Sequence, residues 1–226
     1  VNGGAADRAR LASFDTSDGS VTDFDATPVL TGTVYSIDLT DDESEIYIGG
    51  ALDHVGDSTY KGGVASYLTS SGEMTGFNVG AFGGVKDVLL SGDGGTLYVA
   101  GSITKGVGGF SGEGIAFDLL GDPIEPNAHV FTAGGDGTIY TSISDGAGGW
   151  YIGGDFTHVN QTAWPWLAHI TADGELDTAF DTDLNGAPTS LALSDDGQTL
   201  YAGGGFTDVN SGTTRGQVAA FDTTDG

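Results

Sequence analysis

Short runs of alternating apolar and polar residues recur along the whole chain, and turns rich in Asp and Gly separate them. Val34–Leu39 and Thr189–Leu193 are two such runs. Alternation with a period of two predicts β-strands whose successive side chains point to opposite faces of a sheet. No segment keeps a helical period of 3.6 residues, so the sequence predicts an all-β protein.

Two independent landmarks show that the chain is repetitive. A strand motif, apolar-Tyr-x-(Gly/Ala)-Gly, occurs four times, and its tyrosines lie 51, 53 and 50 residues apart: Tyr47, Tyr98, Tyr151 and Tyr201. An aromatic or similar residue shortly before an Asp-Gly or Ser-Gly turn recurs at intervals of 53, 50, 52 and 52: Phe14, Tyr67, Phe117, His169 and Phe221. A repeat of about 50 residues with all-strand content indicates a stacked repeat architecture.

Each repeat contains four short strand candidates, and the third is apolar on both faces. In the last repeat, Val218 and Ala220 alternate with Ala219 and Phe221. A sheet buried on both sides by neighbouring sheets requires this pattern, whereas a β-sandwich would leave one face polar. We therefore predict a β-propeller of four-stranded antiparallel blades.

The landmark counts give about four and a half repeats within a single domain, 1–226. Their approximate bounds are 1–29 (partial), 30–80, 81–132, 133–184 and 185–226 (partial). A four-bladed ring with one spare strand fits this count, and so does a partial ring of a propeller with six to eight blades. The partial ring is our expectation.

Acidic residues dominate the charge. Asp and Glu number 32 against 6 Lys and Arg, which gives a formal net charge of −26. Such a surface repels phosphate backbones and anionic headgroups, so we expect no nucleic-acid partner and no electrostatic binding to membranes. No apolar run approaches the ~20 residues needed to cross a bilayer, so we also expect no membrane insertion. Solubility is the simplest role for this charge, and the excess also resembles the halophilic surfaces of proteins from salty habitats.

The run Thr199–Asn210 and its counterpart Trp150–Asn160, followed by Val218–Asp222, resemble the delta-60-repeat type of bacterial β-propeller. Kelch propellers are a weaker parallel, because the Tyr and Trp that they place later in each repeat are missing here. The resemblance implies a secreted, extracellular or cell-surface protein that forms part of a larger multidomain chain. It implies no shared enzymatic activity.

The loop between the second and third strands holds the candidate ligand-binding residues. His54, Lys105, His158 and Asp208 occupy equivalent positions in successive repeats. In a propeller these loops share a face with the connections between blades, so we predict a binding patch there for a protein or carbohydrate partner. Trp164, at the entrance to a third strand, is a candidate platform for a sugar ring.

Other features have competing interpretations. Asn160-Gln161-Thr162 is a glycosylation sequon, although a turn explains Asn160 equally well. The acidic run 41–45 could supply oxygens to calcium, but it lacks the EF-hand pattern, so no metal or cofactor is predicted. We expect His169 to pack in the core and Trp166 to fill the space beside Gly114 of the preceding repeat.

The sequence contains no nucleophile elbow, zinc-protease motif or P-loop. We therefore expect a non-catalytic module for binding or structural display. The alternative is a propeller-fold enzyme, such as a glycan hydrolase or lyase, with its site at the mouth of the central channel.

Overall fold

The computed structural model describes residues 10–26, 30–55, 63–77, 79, 82–105, 114–124, 130–131, 137–210 and 212–226. For residues 30, 53–55, 82, 104–105 and 130–131 it describes the backbone alone. Every regular element within these ranges is a β-strand. The prediction of an all-β protein is confirmed.

Four three-stranded antiparallel sheets follow one another along the chain, and we number them blades 1 to 4. Blade 1 contains β1 (Leu30–Leu39), β2 (Glu45–Val55) and β3 (Val64–Leu68). Blade 2 contains β4 (Phe82–Leu90), β5 (Thr96–Lys105) and β6 (Gly114–Asp118). Blade 3 contains β8 (Thr138–Ser144), β9 (Trp150–Asp155) and β12 (Leu167–Ile170), and blade 4 contains β13 (Pro188–Leu193), β14 (Thr199–Gly204) and β17 (Val218–Asp222).

Two small sheets accompany the blades. β7 (Val130–Phe131) pairs with β10 (His158–Val159), which pairs with β11 (Thr162–Ala163). β15 (Asp208–Val209) pairs with β16 (Thr213–Thr214). Among the described residues, the predicted fourth strand forms a single bridge to the third strand in blades 1 to 3, and the segment before blade 1 forms the same bridge: Tyr67–Met74, Phe117–Pro123, Ile170–Leu176 and Phe14–Val21.

The first strands of successive blades lie side by side, which brings β1, β4, β8 and β13 together along one axis. Each of these strands has a register shift at the equivalent position opposite its second strand. A bulge at this point increases the local twist and bends the strand. The four inner strands thus line the centre of the blade array.

The last glycine of the strand motif is required by this bulge. A Cβ atom there would lie under 3.0 Å from a backbone carbonyl oxygen in the first strand or, in blade 4, directly before it, which is closer than real Cβ atoms approach. In every blade this oxygen belongs to the residue immediately before the register shift. The pairs of glycine and oxygen-bearing residue are Gly50 with Thr33, Gly101 with Gly84, Gly154 with Thr138, and Gly204 with Ala187.

The hydrophobic core consists of layers between blades. The tyrosine of the motif is buried in blades 1 to 3, where Tyr47, Tyr98 and Tyr151 each join an interblade cluster. Tyr98 stacks on Trp150 of the next blade at a centroid distance of 4.7 Å. Burial on both faces of a blade is what the apolar third-strand pattern predicted.

One packing prediction was wrong. The space beside Gly114 is filled by Trp150, whose Cη2 atom would lie 2.7 Å from a Cβ at that glycine. Trp166 packs instead against the cluster between blades 3 and 4, and its φ of 71° turns the chain at the entrance to β12. Trp150 on the second strand of blade 3 therefore fills the space that we expected Trp166, at the entrance to the third strand, to fill.

Candidate functional site

The loops between the second and third strands fold into matching hairpins in blades 3 and 4. The tips have left-handed backbone, with φ of 46° at Asn160 and 45° at Asn210, a conformation that Asn tolerates better than most residues. Val159 and Val209 are buried and anchor the two hairpins to their blades. The chain therefore presents two hairpins with a left-handed Asn after the first strand and with different side chains.

His158 and Asp208 lie at the start of these hairpins, as predicted. The His158 Nδ1 shares a hydrogen bond of 2.8 Å with the Thr157 hydroxyl. The Asp208 carboxylate accepts hydrogen bonds from the Asn185 amide at 2.9 Å and the Thr214 hydroxyl at 3.2 Å. The side chains of His54 and Lys105 lie outside the described residues, so the four-residue patch stays a prediction.

Asn160, the predicted sequon residue, has its side chain engaged. Its Nδ2 donates a hydrogen bond of 3.0 Å to the carbonyl of Gly174. Asn210 makes the equivalent contact to Gly226 at 3.4 Å, although it has no sequon. The shared geometry supports the turn interpretation of this position, and glycosylation of Asn160 stays a prediction.

Trp164 lines a groove of about 200 Å³ between the blade 3 hairpin and the connection to blade 4. The ring is partly buried, because it packs against the core between blades 2 and 3. The facing wall consists of Asp181, Thr182 and Asp183, and both aspartates are exposed. The groove thus combines an indole ring with two solvated carboxylates.

The Asp181–Asp183 wall was not predicted from the sequence. These residues follow the fourth-strand position, and their approach to Trp164 depends on how the connection passes the hairpin. A backbone hydrogen bond of 3.2 Å from Asp183 to the Asp181 side chain fixes this turn. Paired aspartates just after the landmark Phe180 are the one signal that could have drawn attention to it.

His169 forms an ion-pair triad on blade 3. Its Nδ1–H donates to Asp177 at 3.0 Å, and its Nε2–H donates to Asp145 at 3.1 Å. The ring also stacks on Tyr151 at a centroid distance of 4.3 Å. The ring packs as expected, but the predicted landmark position was wrong by one residue: the strand register places Ile170, and not His169, at the position of Tyr67, Phe117 and Phe221. The two carboxylate partners were not predicted from the sequence.

Burial alone would lower the pKa of His169, but the hydrogen bonds from its ring to Asp145 and Asp177 raise the pKa above its usual value. Burial alone would raise the pKa values of Asp145 and Asp177. The hydrogen bonds that each carboxylate accepts have a larger, opposite effect, so the pKa of each lies below its usual value. Both ring nitrogens are occupied, which leaves neither free to act as a general base.

The inner strands carry two carboxylates, and both are tied to neighbouring blades. Asp87 accepts from the Ser36 hydroxyl at 2.7 Å and from the backbone N–H of Ser142 at 2.5 Å, so it joins three blades. Asp38 accepts from the backbone N–H of Leu90 at 2.6 Å. Burial raises the pKa of Asp87, against the effect of its hydrogen bonds.

The acidic run 41–45 forms the turn between β1 and β2. The Asp42 carboxylate accepts from the hydroxyls of Thr40 at 2.8 Å and Ser44 at 2.6 Å. Within the described ranges, no group of three or more His, Cys, Asp or Glu side chains is placed to hold a metal ion. In the same part of the chain, no helix has the length and apolarity to cross a membrane.

No family model and no curated protein sequence matches the chain. Among solved structures, it is similar to hydrazine synthase of Kuenenia stuttgartiensis, with a TM-score of 0.55 and 15% identity over 85% of this chain and 48% of the other. It is similar to the Dos1 propeller, with a TM-score of 0.51 and 15% identity over 86% and 44%. The extracellular domain of the candidate one-component system BT4673 of B. thetaiotaomicron has a TM-score of 0.48 and 19% identity over 86% and 23%.

At these identities the similarity shows the fold alone. The likeness to the Dos1 propeller, together with the blade array, confirms that the chain is a partial β-propeller. The chain spans less than half the length of each structure named above. Fold alone assigns no activity, because unrelated functions are built on the same propeller.

Proposed function

We propose that this chain is a non-catalytic binding module of the delta-60-repeat type, displayed outside the cell or on its surface as part of a larger multidomain protein. The observation that carries the proposal is the groove at Trp164, which faces Asp181 and Asp183. The hairpins that bear His158 and Asp208 add variable side chains on a regular scaffold, a common arrangement in binding proteins.

The groove has the chemistry of a carbohydrate site. An indole ring packs against the C–H face of a pyranose, and carboxylates accept hydrogen bonds from its hydroxyl groups. Because the chain has a net charge of −26, an anionic glycan would be repelled. A neutral or amino-substituted carbohydrate is therefore the ligand class that we propose, and a protein surface of similar polarity is the alternative partner.

The competing enzyme hypothesis requires free catalytic groups at the channel. The two carboxylates on the inner strands, Asp38 and Asp87, accept hydrogen bonds from adjacent blades. The His169 ring is held by two aspartates on blade 3. These contacts favour binding over catalysis among the groups that the structure describes.

A glycan array followed by titration of the best ligand tests this proposal. Replacing Trp164 with Ala should weaken binding about tenfold or more, as expected for loss of an aromatic stacking partner. Asp181→Asn with Asp183→Asn should also weaken binding, and both aspartates are exposed, so the fold should be kept.

The control is Phe14→Ser, since Phe14 is an exposed aromatic residue outside the groove. It should bind like the wild type. A Trp164→Ala protein that is folded and binds with unchanged affinity would remove the groove from the proposal. Turnover of a bound glycan that is abolished by Asp87→Asn would favour the enzyme instead.

A further inference from the structure

Each first strand contains one residue that is skipped in the pairing with the second strand. The skipped residues are Tyr35 in β1, Lys86 in β4, Tyr140 in β8 and Thr189 in β13. The extra residue of a bulge is left unpaired in the ladder, and bulges re-aim side chains near functional sites. These four bulge residues therefore occupy one repeated position on the strands that line the centre of the blade array.

Two of the bulge residues touch each other across neighbouring blades. The Lys86 Nζ atom lies 4.4 Å from the centroid of the Tyr35 ring, which is a cation–π contact. Because both residues lie on first strands, this contact places their side chains together at the centre of the array. Tyr35 and Thr189 are exposed, and Lys86 and Tyr140 are partly exposed, so a ligand can reach the bulge residues.

Lys86 is a cation without a carboxylate partner in a strongly acidic chain. Asp and Glu number 32 against 6 Lys and Arg, and yet no ion pair among the described residues includes Lys86. The carboxylates of the inner strands, Asp38 and Asp87, instead accept hydrogen bonds from neighbouring blades. The N–H donors of the Lys86 ammonium are therefore available to a ligand.

The donors at this position favour an anionic ligand. Tyr140 lies on β8, which packs beside β4, and its hydroxyl is a donor at the position equivalent to Lys86. Ammonium and phenol groups both donate hydrogen bonds, and those to a charged acceptor are the strongest. The net charge of −26 repels every additional negative charge, so a single carboxylate fits better than a doubly charged phosphate.

We propose that Lys86, with Tyr35 and Tyr140, forms a second binding site at the centre of the blade array, and that it takes the carboxylate of a small, singly charged ligand such as a uronic acid. The three residues lie on the first strands of blades 1 to 3, which contact one another within the structure. The groove at Trp164 contains none of them and has no cation in its lining. This inference goes beyond the proposed function, because it adds a separate site for a ligand of different charge.

Titration of the isotope-labelled chain with sodium glucuronate, followed by NMR, tests the proposal, and glucose is the neutral comparison. At about 0.15 M ionic strength the screening length is about 8 Å, so repulsion by distant aspartates is reduced while a direct contact with Lys86 is kept. Glucuronate should shift the backbone amide signals of Tyr35, Lys86 and Tyr140. Glucose at the same concentration should leave these signals in place.

Variants of the lysine separate its charge from the charge of the whole chain. Lys86→Met keeps most of the aliphatic stem and should weaken glucuronate binding about tenfold or more, because the charge-assisted contact is lost. Lys86→Arg keeps the charge and should retain most of the affinity. Arg215→Met is the matched control, since it removes the same charge from an exposed hairpin residue and should bind like the wild type. Circular dichroism should show an unchanged fold in every variant.

Two results would overturn the proposal. One is a wild-type chain whose signals at the bulge residues do not move at tens of millimolar glucuronate. The other is an equal loss of affinity in Lys86→Met and Arg215→Met, which would show that net charge alone determines binding. Trp164→Ala should leave glucuronate binding at the bulge residues unchanged, so failure of this site and failure of the groove at Trp164 are distinguishable.

Discussion

His169 shows how one residue can change the chemistry of a repeated position. On the third strand, the residue opposite the motif tyrosine is small in the other blades: Ser66, Ala116 and Ala220. In blade 3 it is His169, opposite Tyr151. His169 therefore places a ring on Tyr151 where the other blades have a small side chain, and it adds hydrogen bonds to two carboxylates. Blade 3 therefore contains an ionic clamp between its turn, its third strand and its outermost segment.

The clamp makes stability depend on pH. The pKa of His169 is raised above 6.5, so its contribution is complete below pH 6.5 and is lost as pH rises through the folded-state pKa. The pKa values of Asp145 and Asp177 are lowered from 3.8, so their contribution is present above pH 3.8 and is lost as pH falls through the folded-state values. The clamp is strongest between these limits.

Urea unfolding across pH 5 to 9 measures this effect. The wild-type free energy of unfolding should fall by about 1–3 kcal/mol as the histidine loses its proton. His169→Phe keeps an aromatic ring against Tyr151 without an ionisable group, and it should remove most of this decline. Asp177→Asn should reduce the decline partly, because one carboxylate partner remains. An unchanged decline in His169→Phe would show that other groups cause it.

At the scale of the element, the two glycines that end the strand motif have different structural roles. The second lies against the bulge of its own first strand in all four blades. In blades 1 and 3 the first lies against a side chain of the next blade, and in blade 4 it faces open space. The second glycine of the motif is therefore required by the bulge inside a blade, and the first by the close contact between neighbouring blades.

Alanine substitutions distinguish the structural roles of the two glycines. Gly154→Ala should destabilise the protein by about 1–3 kcal/mol, because the new Cβ meets the Thr138 carbonyl oxygen at under 3.0 Å. Gly203→Ala should stay within about 0.5 kcal/mol of the wild type, since its nearest neighbour is 3.8 Å away. Thermal unfolding in low salt compares them, and equal losses in both variants would contradict the assignment of the two roles.

At the scale of the whole molecule, the repeat made the architecture predictable. Strand pattern, turn residues and landmark spacing are local properties that recur in each blade, so the sequence predicted the blades and their stacking. The buried tyrosines confirm the double-sided packing. The reduction of the fourth strand to one bridge was not predictable, because a short outer strand and an extended segment have the same local pattern.

The site features were harder to predict because they depend on contacts between different parts of the repeat. Asp145 and Asp177 lie 24 and 8 residues from His169, and neither belongs to a landmark. Trp150, and not Trp166, lies beside Gly114 because the second strand of the next blade faces this glycine. The predicted hairpin positions of His158 and Asp208 followed from repeat alignment alone.

Hydrogen exchange resolved by peptide, in low salt and at low concentration, tests the stacked-blade account most directly. The central strands β5 and β9, covered by blades on both faces, should have the slowest amides, and β14 in the half-covered blade 4 should exchange about tenfold faster or more. Equal protection of β14, β5 and β9 would contradict an open array of stacked blades.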